Sequence, residues 1–163
     1  MEITIFNDIK DPRINRTKKF SLSEIVFTTF VAIWSGARSS YEISKFTKDN
    51  LPIFKEFLPF NNGVPSHDTY NRFFSILPEE DFERAFIAFT QYLIGDSFDA
   101  KLIKFDKKPN HGATKISVEI INTVIAWSNS CKLSLGQDSG DNKSDAINAI
   151  TLLSNKLKDK NTN

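Results

Sequence analysis

The chain has 163 residues, enough for one ordinary domain or two small ones, and its 40% apolar and 25% charged content is that of a soluble globular protein. Lys and Arg number 21 against 20 Asp and Glu, for a net charge of +1, so no global basic field draws in nucleic acid and any DNA contact must come from local patches. A single cysteine, Cys131, excludes an intramolecular disulfide and a multi-cysteine zinc site and fits a reducing cytoplasm.

The N-terminal stretch MEITIFNDIKDPR lacks the basic-then-apolar order of a signal peptide. Arg13, Arg16, Lys18 and Lys19 follow as the densest basic patch of the chain, read either as phosphate contacts or as a solvated arm. Ser21 or Ser23 then caps a helix running to about Ser35 and ending at Gly36. Its apolar residues, from Leu22 and Ile25 to Ile33 and Trp34, cover more than one face, which predicts a buried central helix. Ser23, Glu24, Thr28 and Thr29 interrupt that stretch, and it is shorter than the about 20 apolar residues a membrane span takes. The expectation is a cytoplasmic protein without a membrane segment.

A second helix is expected from Ser39 or Ser40, carrying Tyr41, Ile43 and Phe46, and a short third one after Pro52, with Ile53, Phe54, Phe57 and Leu58, stopping at Pro59. Asn61-Asn62-Gly63 reads as a turn of residues that tolerate positive φ. Ser66 caps a fourth helix with Tyr70, Phe73, Phe74 and Leu77, and Pro78 ends it and opens a fifth. Glu79, Glu80 and Asp81 lie at the positive end of that last dipole, and Phe82, Phe86, Phe89 and Leu93 form one apolar stripe. Two readings stand for Pro65 to Leu77: a helix-turn-helix reader offering Asn71 and Arg72 to DNA, or an internal helix whose Phe73 and Phe74 pack the core, the latter favoured. Ser66-His67-Asp68 has the composition of a catalytic triad, but a helix start explains it better, with Ser66 as cap, Asp68 at the dipole and His67 exposed.

The pattern changes near Gly95 to Asp99. Lys101 to Phe105 and Val118 to Trp127 read as strands, and Cys131, Leu133 and Leu135 alternate with Lys132 and Ser134 as a third. Ser144 caps a last helix with Ile147, Ile150, Leu153 and Leu157. The fold class expected is therefore α+β: an all-helical domain over residues 1–95, then a β-β-β-α unit over residues 100–163.

Several segments together resemble the H-repeat-associated group of insertion-sequence transposases. They are Asp11-Pro12-Arg13, the WSGA of Trp34 to Ala37, LPIFKEFLPFNNGVPSHDTYNRFF of Leu51 to Phe74, LIKFDKK of Leu102 to Lys108, IAWSN of Ile125 to Asn129, and LGQDSGDNKSDAI of Leu135 to Ile147. GVPSHDTYNRF is the most specific part, and the likeness runs from about Asp8 to Leu157. The resemblance implies a helical associated domain followed by a ribonuclease H-like catalytic domain of the DDE type, whose opening order is β-β-β-α. It places the family's first catalytic and metal-binding carboxylate on Asp106, with Lys107 and Lys108 beside it as DNA contacts. DDE chemistry needs three carboxylates around two divalent ions about 3.5–4 Å apart, Mg2+ in the family, to cleave and join DNA strands.

The second Asp and the Glu of the family lie beyond Asn163, and Asp106-Lys107-Lys108-Pro109 stands where the family has Asp-Gly-Lys. The sequence thus reads as a truncated transposase, inactive alone and without a metal of its own. The alternatives are a non-enzymatic DNA-binding or interaction module that regulates an intact transposase, and a decayed remnant. The implied partners are DNA, at the terminal inverted repeats of an element, and a homo-oligomer or an intact transposase.

Overall fold

The computed structural model describes Phe6 and residues 9–94, whose regular elements are all helical. The β-β-β-α unit expected over residues 100–163 lies outside the described residues, as do Asp106, Lys107 and Lys108. A short 3-10 turn at Asn15–Thr17 precedes five helices: α1 (Leu22–Trp34), α2 (Ser40–Asp49), α3 (Leu51–Phe54), α4 (His67–Ile76) and α5 (Glu79–Ile94).

Helix α1 starts where its sequence demands. The Ser21 hydroxyl accepts from the Glu24 backbone N–H while the Glu24 carboxylate accepts from the Ser21 N–H, a reciprocal capping box. The helix stops at Gly36, whose φ of 100° lies where a Cβ is disfavoured. Every residue from Glu24 to Trp34 is buried, so α1 is the central helix that its apolar distribution predicts. Its buried hydroxyls are satisfied by the helix itself: Thr28, Thr29 and Ser35 donate to the carbonyls of Glu24, Ile25 and Val31 at 2.6–2.7 Å.

Phenylalanine builds the core around α1. Phe30 meets Phe82, Phe86 and Phe89 of α5 at centroid distances of 5.0–5.5 Å, which docks α5 along one side. Phe27, one turn before Phe30, also reaches Phe89, and packs edge-on against Phe54 of α3 and at a tilt against Phe57 beyond it. The third helix ends at Phe54, sooner than the apolar spacing suggests, yet Phe57 and Leu58 are still buried because the following turns fold them back under α1.

Helices α2 and α4 cover the remaining side, capped by Ser39 and Ser66. Tyr70 of α4 is fully buried, its hydroxyl 2.8 Å from Thr28 Oγ1 and 3.4 Å from Thr47 Oγ1. One phenol thereby ties α1, α2 and α4 together. Burial pushes its pKa up to about 12, against the opposing effect of the two threonine hydrogen bonds.

Candidate nucleic-acid interface

The segment before α1 is ordered by an ion pair two residues long. Arg13 donates from Nε and Nη2 to the two carboxylate oxygens of Asp11 at 2.9 and 2.8 Å, and its backbone N–H donates to the same group at 3.0 Å. The guanidinium also lies over the Phe73 ring of α4, 5.3 Å from the centroid, and its side chain is only 6% exposed. Lys18 approaches the same carboxylate at 3.7 Å. Partial burial raises the Asp11 pKa, but the Arg13 hydrogen bonds and the charges of Arg13 and Lys18 outweigh it and hold the carboxyl below its ordinary value. Arg13 therefore anchors the basic segment to α4, and its charge is already met within the fold.

The rest of the segment is fixed from the other end. Asn62, in the turn after α3, donates to the Lys19 carbonyl at 2.6 Å. Phe60 opens that turn with a φ of 46°, unusual for a bulky residue, and its buried N–H is held at 2.8 Å by the Glu24 carboxylate. The carboxylate that caps α1 at Ser21 thus also sets the turn that positions Lys19. No charge or spacing signal in the sequence marks Glu24 or Asn62 for this, because their partners are far away along the chain.

Between the segment and α4 lies an open groove of about 490 Å³, lined by Arg13, Lys19, Phe20, Thr69, Arg72, Phe73, Ser75 and Ile76. Thr69, Arg72, Phe73 and Ile76 recur at three- and four-residue spacing, so one face of α4 forms one wall. Lys19 and Arg72 are exposed, and Ile76 presents nearly half of its surface to solvent. Two of the groups singled out in the sequence, the basic segment and Arg72, are thereby brought to one place. Arg16 is exposed on the 3-10 turn nearby in sequence. The periodicity holds one overlooked signal: Ile76 is apolar but falls off the Tyr70, Phe73, Phe74, Leu77 stripe.

Asn71 goes elsewhere. Its Oδ1 accepts from Ser40 Oγ at 2.7 Å, which spends it on joining α4 to α2. Residues 55–66 separate α3 from α4, far more than the three- or four-residue turn of a helix-turn-helix, and α4 buries Tyr70, Phe73 and Phe74. The packing reading of this helix holds. Ser66 Oγ accepts from the Thr69 N–H as a cap, while His67 stands exposed 3.3 Å from Asp68, so no triad geometry forms. Among the described residues no cluster of His, Cys, Asp and Glu is placed to hold a metal ion, and no helix is long and apolar enough to cross a membrane.

The family described as DDE_Tnp_1-associated matches residues 3–90, which takes in all five helices except the end of α5. This chain belongs to that family. A protein of Xanthobacter autotrophicus named "Uncharacterized protein in dhlA 3'region" is 32% identical over 150 residues, 89% of this chain and 50% of its own length. "Putative transposase YncI" of Escherichia coli O157:H7 is 36% identical over 91% of this chain and 38% of its own length. "H repeat-associated putative transposase YhhI" of Escherichia coli K12 is 31% identical over 91% of this chain and 40% of its own length. These names place the chain in the H-repeat-associated transposase group, as its motifs imply. The chain spans half the length or less of these three relatives. No solved structure matches it.

Proposed function

We propose that the helical DDE_Tnp_1-associated domain is a DNA-holding module of an insertion-sequence transposase, with the groove beside α4 as its phosphate contact. The observation that carries this reading is the convergence of Lys19, Arg72 and the Arg13-anchored segment, from two separate stretches of sequence, on one groove. Arg16 and Lys18 extend the basic edge. The DNA is taken to be the terminal inverted repeat of an element, and the setting the cytoplasm of a bacterial cell.

The chemistry proposed for the whole family assembly is DNA strand cleavage and transfer by a ribonuclease H-like DDE domain. Asp106 would supply the first of the three carboxylates that hold the Mg2+ of such a domain. One carboxylate cannot hold two ions in line with a phosphate.

The test is binding of a fluorescent duplex carrying terminal inverted repeats of a related element, followed by anisotropy across a salt series. With Arg13 held by Asp11, three or four cations remain for phosphates, giving a log–log salt slope of about −2.7 to −3.6. Affinity then falls roughly 40- to 150-fold between about 50 and 200 mM salt. A flat salt response, or no loss of affinity in Arg72→Ala and Lys19→Ala, sinks the reading.

A further inference from the structure

We propose that the groove between the basic segment and α4 receives an unpaired nucleotide at a DNA end, its base against Ile76 and its phosphate at Lys19 and Arg72. This deepens the DNA-binding reading above and rests on it.

The reason lies in what the groove walls are made of. A surface that only tracks duplex phosphates has no use for an apolar floor, because a duplex keeps its own bases stacked out of reach. Here the cations rim a concavity of about 490 Å³, the size of a small-ligand site. Its interior is largely apolar: Ile76, which is 49% exposed, with the Phe20 and Phe73 rings behind it. A solvent-facing isoleucine inside a cationic rim gains nothing from a phosphate ridge passing above it. An unpaired base has an apolar face to lay on it, and its own phosphate is tethered at the distance of the rim. The exposed Lys19 ammonium, 5.4 Å from the Phe20 centroid, keeps a cation beside that apolar wall, where it meets a base or its phosphate without selecting a base. The groove is also preformed: the Glu24, Phe60 and Asn62 bonds fix one wall and α4 is the other.

The experiment compares two duplexes of the same inverted-repeat sequence, one blunt and one with a short unpaired overhang bearing a fluorescent purine analogue. The full chain is expected to bind the overhang duplex about ten-fold more tightly than the blunt one, the worth of one stacked base. The analogue's fluorescence should change on binding. Ile76→Ser removes the apolar wall at a half-exposed site, where circular dichroism is expected to remain that of the wild type. This variant should lose the preference for the overhang, whereas Arg72→Ala should weaken binding of both duplexes. Equal affinity of the wild type for both duplexes, or an Ile76→Ser protein that keeps the preference, overturns the nucleotide pocket while leaving phosphate binding intact. Failure to bind either duplex overturns the pocket and the DNA-binding reading together.

Discussion

Replacing Glu24 by Gln is expected to be the most damaging single-atom change in the helical domain. The carboxylate is 4% exposed and accepts two backbone bonds at 2.8 Å, one from Ser21 at the start of α1 and one from Phe60 in the turn after α3. An amide can accept only one of them, and its NH2 then faces the other N–H, donor against donor. Losing a hydrogen bond to a charged group costs about 1.5–3 kcal/mol, and the bond that survives becomes a neutral one worth about 1 kcal/mol less. The negative charge near the α1 N-terminus contributes a further ~0.5 kcal/mol. The loss is therefore about 3–4.5 kcal/mol, most of it from the buried Phe60 N–H. Urea unfolding followed by far-ultraviolet circular dichroism measures it, read as a lower midpoint at constant slope. Glu42→Gln is the internal control, because Glu42 accepts the Arg38 N–H at 2.6 Å in an exposed position, where water replaces the bond and the loss stays under about 1 kcal/mol. A Glu24→Gln protein within about 1 kcal/mol of wild type would refute the argument that one carboxylate holds both the helix start and the turn.

Tyr70→Phe should cost about 1 kcal/mol at neutral pH by removing the hydroxyl shared with Thr28 and Thr47. Since folding raises the phenol to about 12, wild-type stability is fully present below the unfolded value near 10 and is lost as pH rises through 12. That loss reaches roughly 2 kcal/mol by about pH 12, so the variant should overtake the wild type in strongly alkaline urea titrations, and parallel curves would contradict the burial. Asp11 has the opposite sign. Its lowered pKa stabilises the fold above the ordinary carboxylate value of 3.8, and that contribution fades as pH falls through the folded value. Asp11→Asn should flatten this acid limb in thermal melts, and the freed Arg13 should steepen the salt dependence of DNA binding. Gly63 has a φ of 76° and nothing within 4 Å of where a Cβ would sit, so Gly63→Ala should cost about 1 kcal/mol from backbone strain alone and Gly63→Asn less. Equal unfolding midpoints for Gly63→Ala and wild type would show that the turn relaxes.

What the sequence made legible divides along the distance between partners. The caps at Ser21, Ser39 and Ser66 each act on a backbone N–H three residues on; Ser66 stands where the pattern put it, and the structure selects Ser21 over Ser23 and Ser39 over Ser40. The all-round burial of α1 was equally readable, since no single face of that helix could be polar. The third helix was overdrawn because Phe57 and Leu58 looked like helical periodicity, whereas they are buried by turns that follow Phe54. The hidden features are those whose partners are remote: Thr28 with Tyr70, 42 residues apart, and Glu24 with Phe60, 36 apart. In a linear reading both residues were interruptions of an apolar stretch.

The same division governs the candidate site. Charge density marked the basic segment, and a helix register marked Arg72, but nothing local joined them. The joint is made by Arg13, whose pairing with Asp11 two residues away was open to reading in Asp11-Pro12-Arg13, and whose seat on Phe73 was not. A buried cation that neutralises its own neighbour is a poor phosphate ligand and a good hinge pin. In this domain it converts a short, highly charged stretch, the kind of sequence that otherwise drifts in solvent, into one wall of a fixed groove. The exposed cations that remain on that wall and on α4 face a shared concavity, and that placement, more than the number of charges, separates a binding surface from a merely basic one.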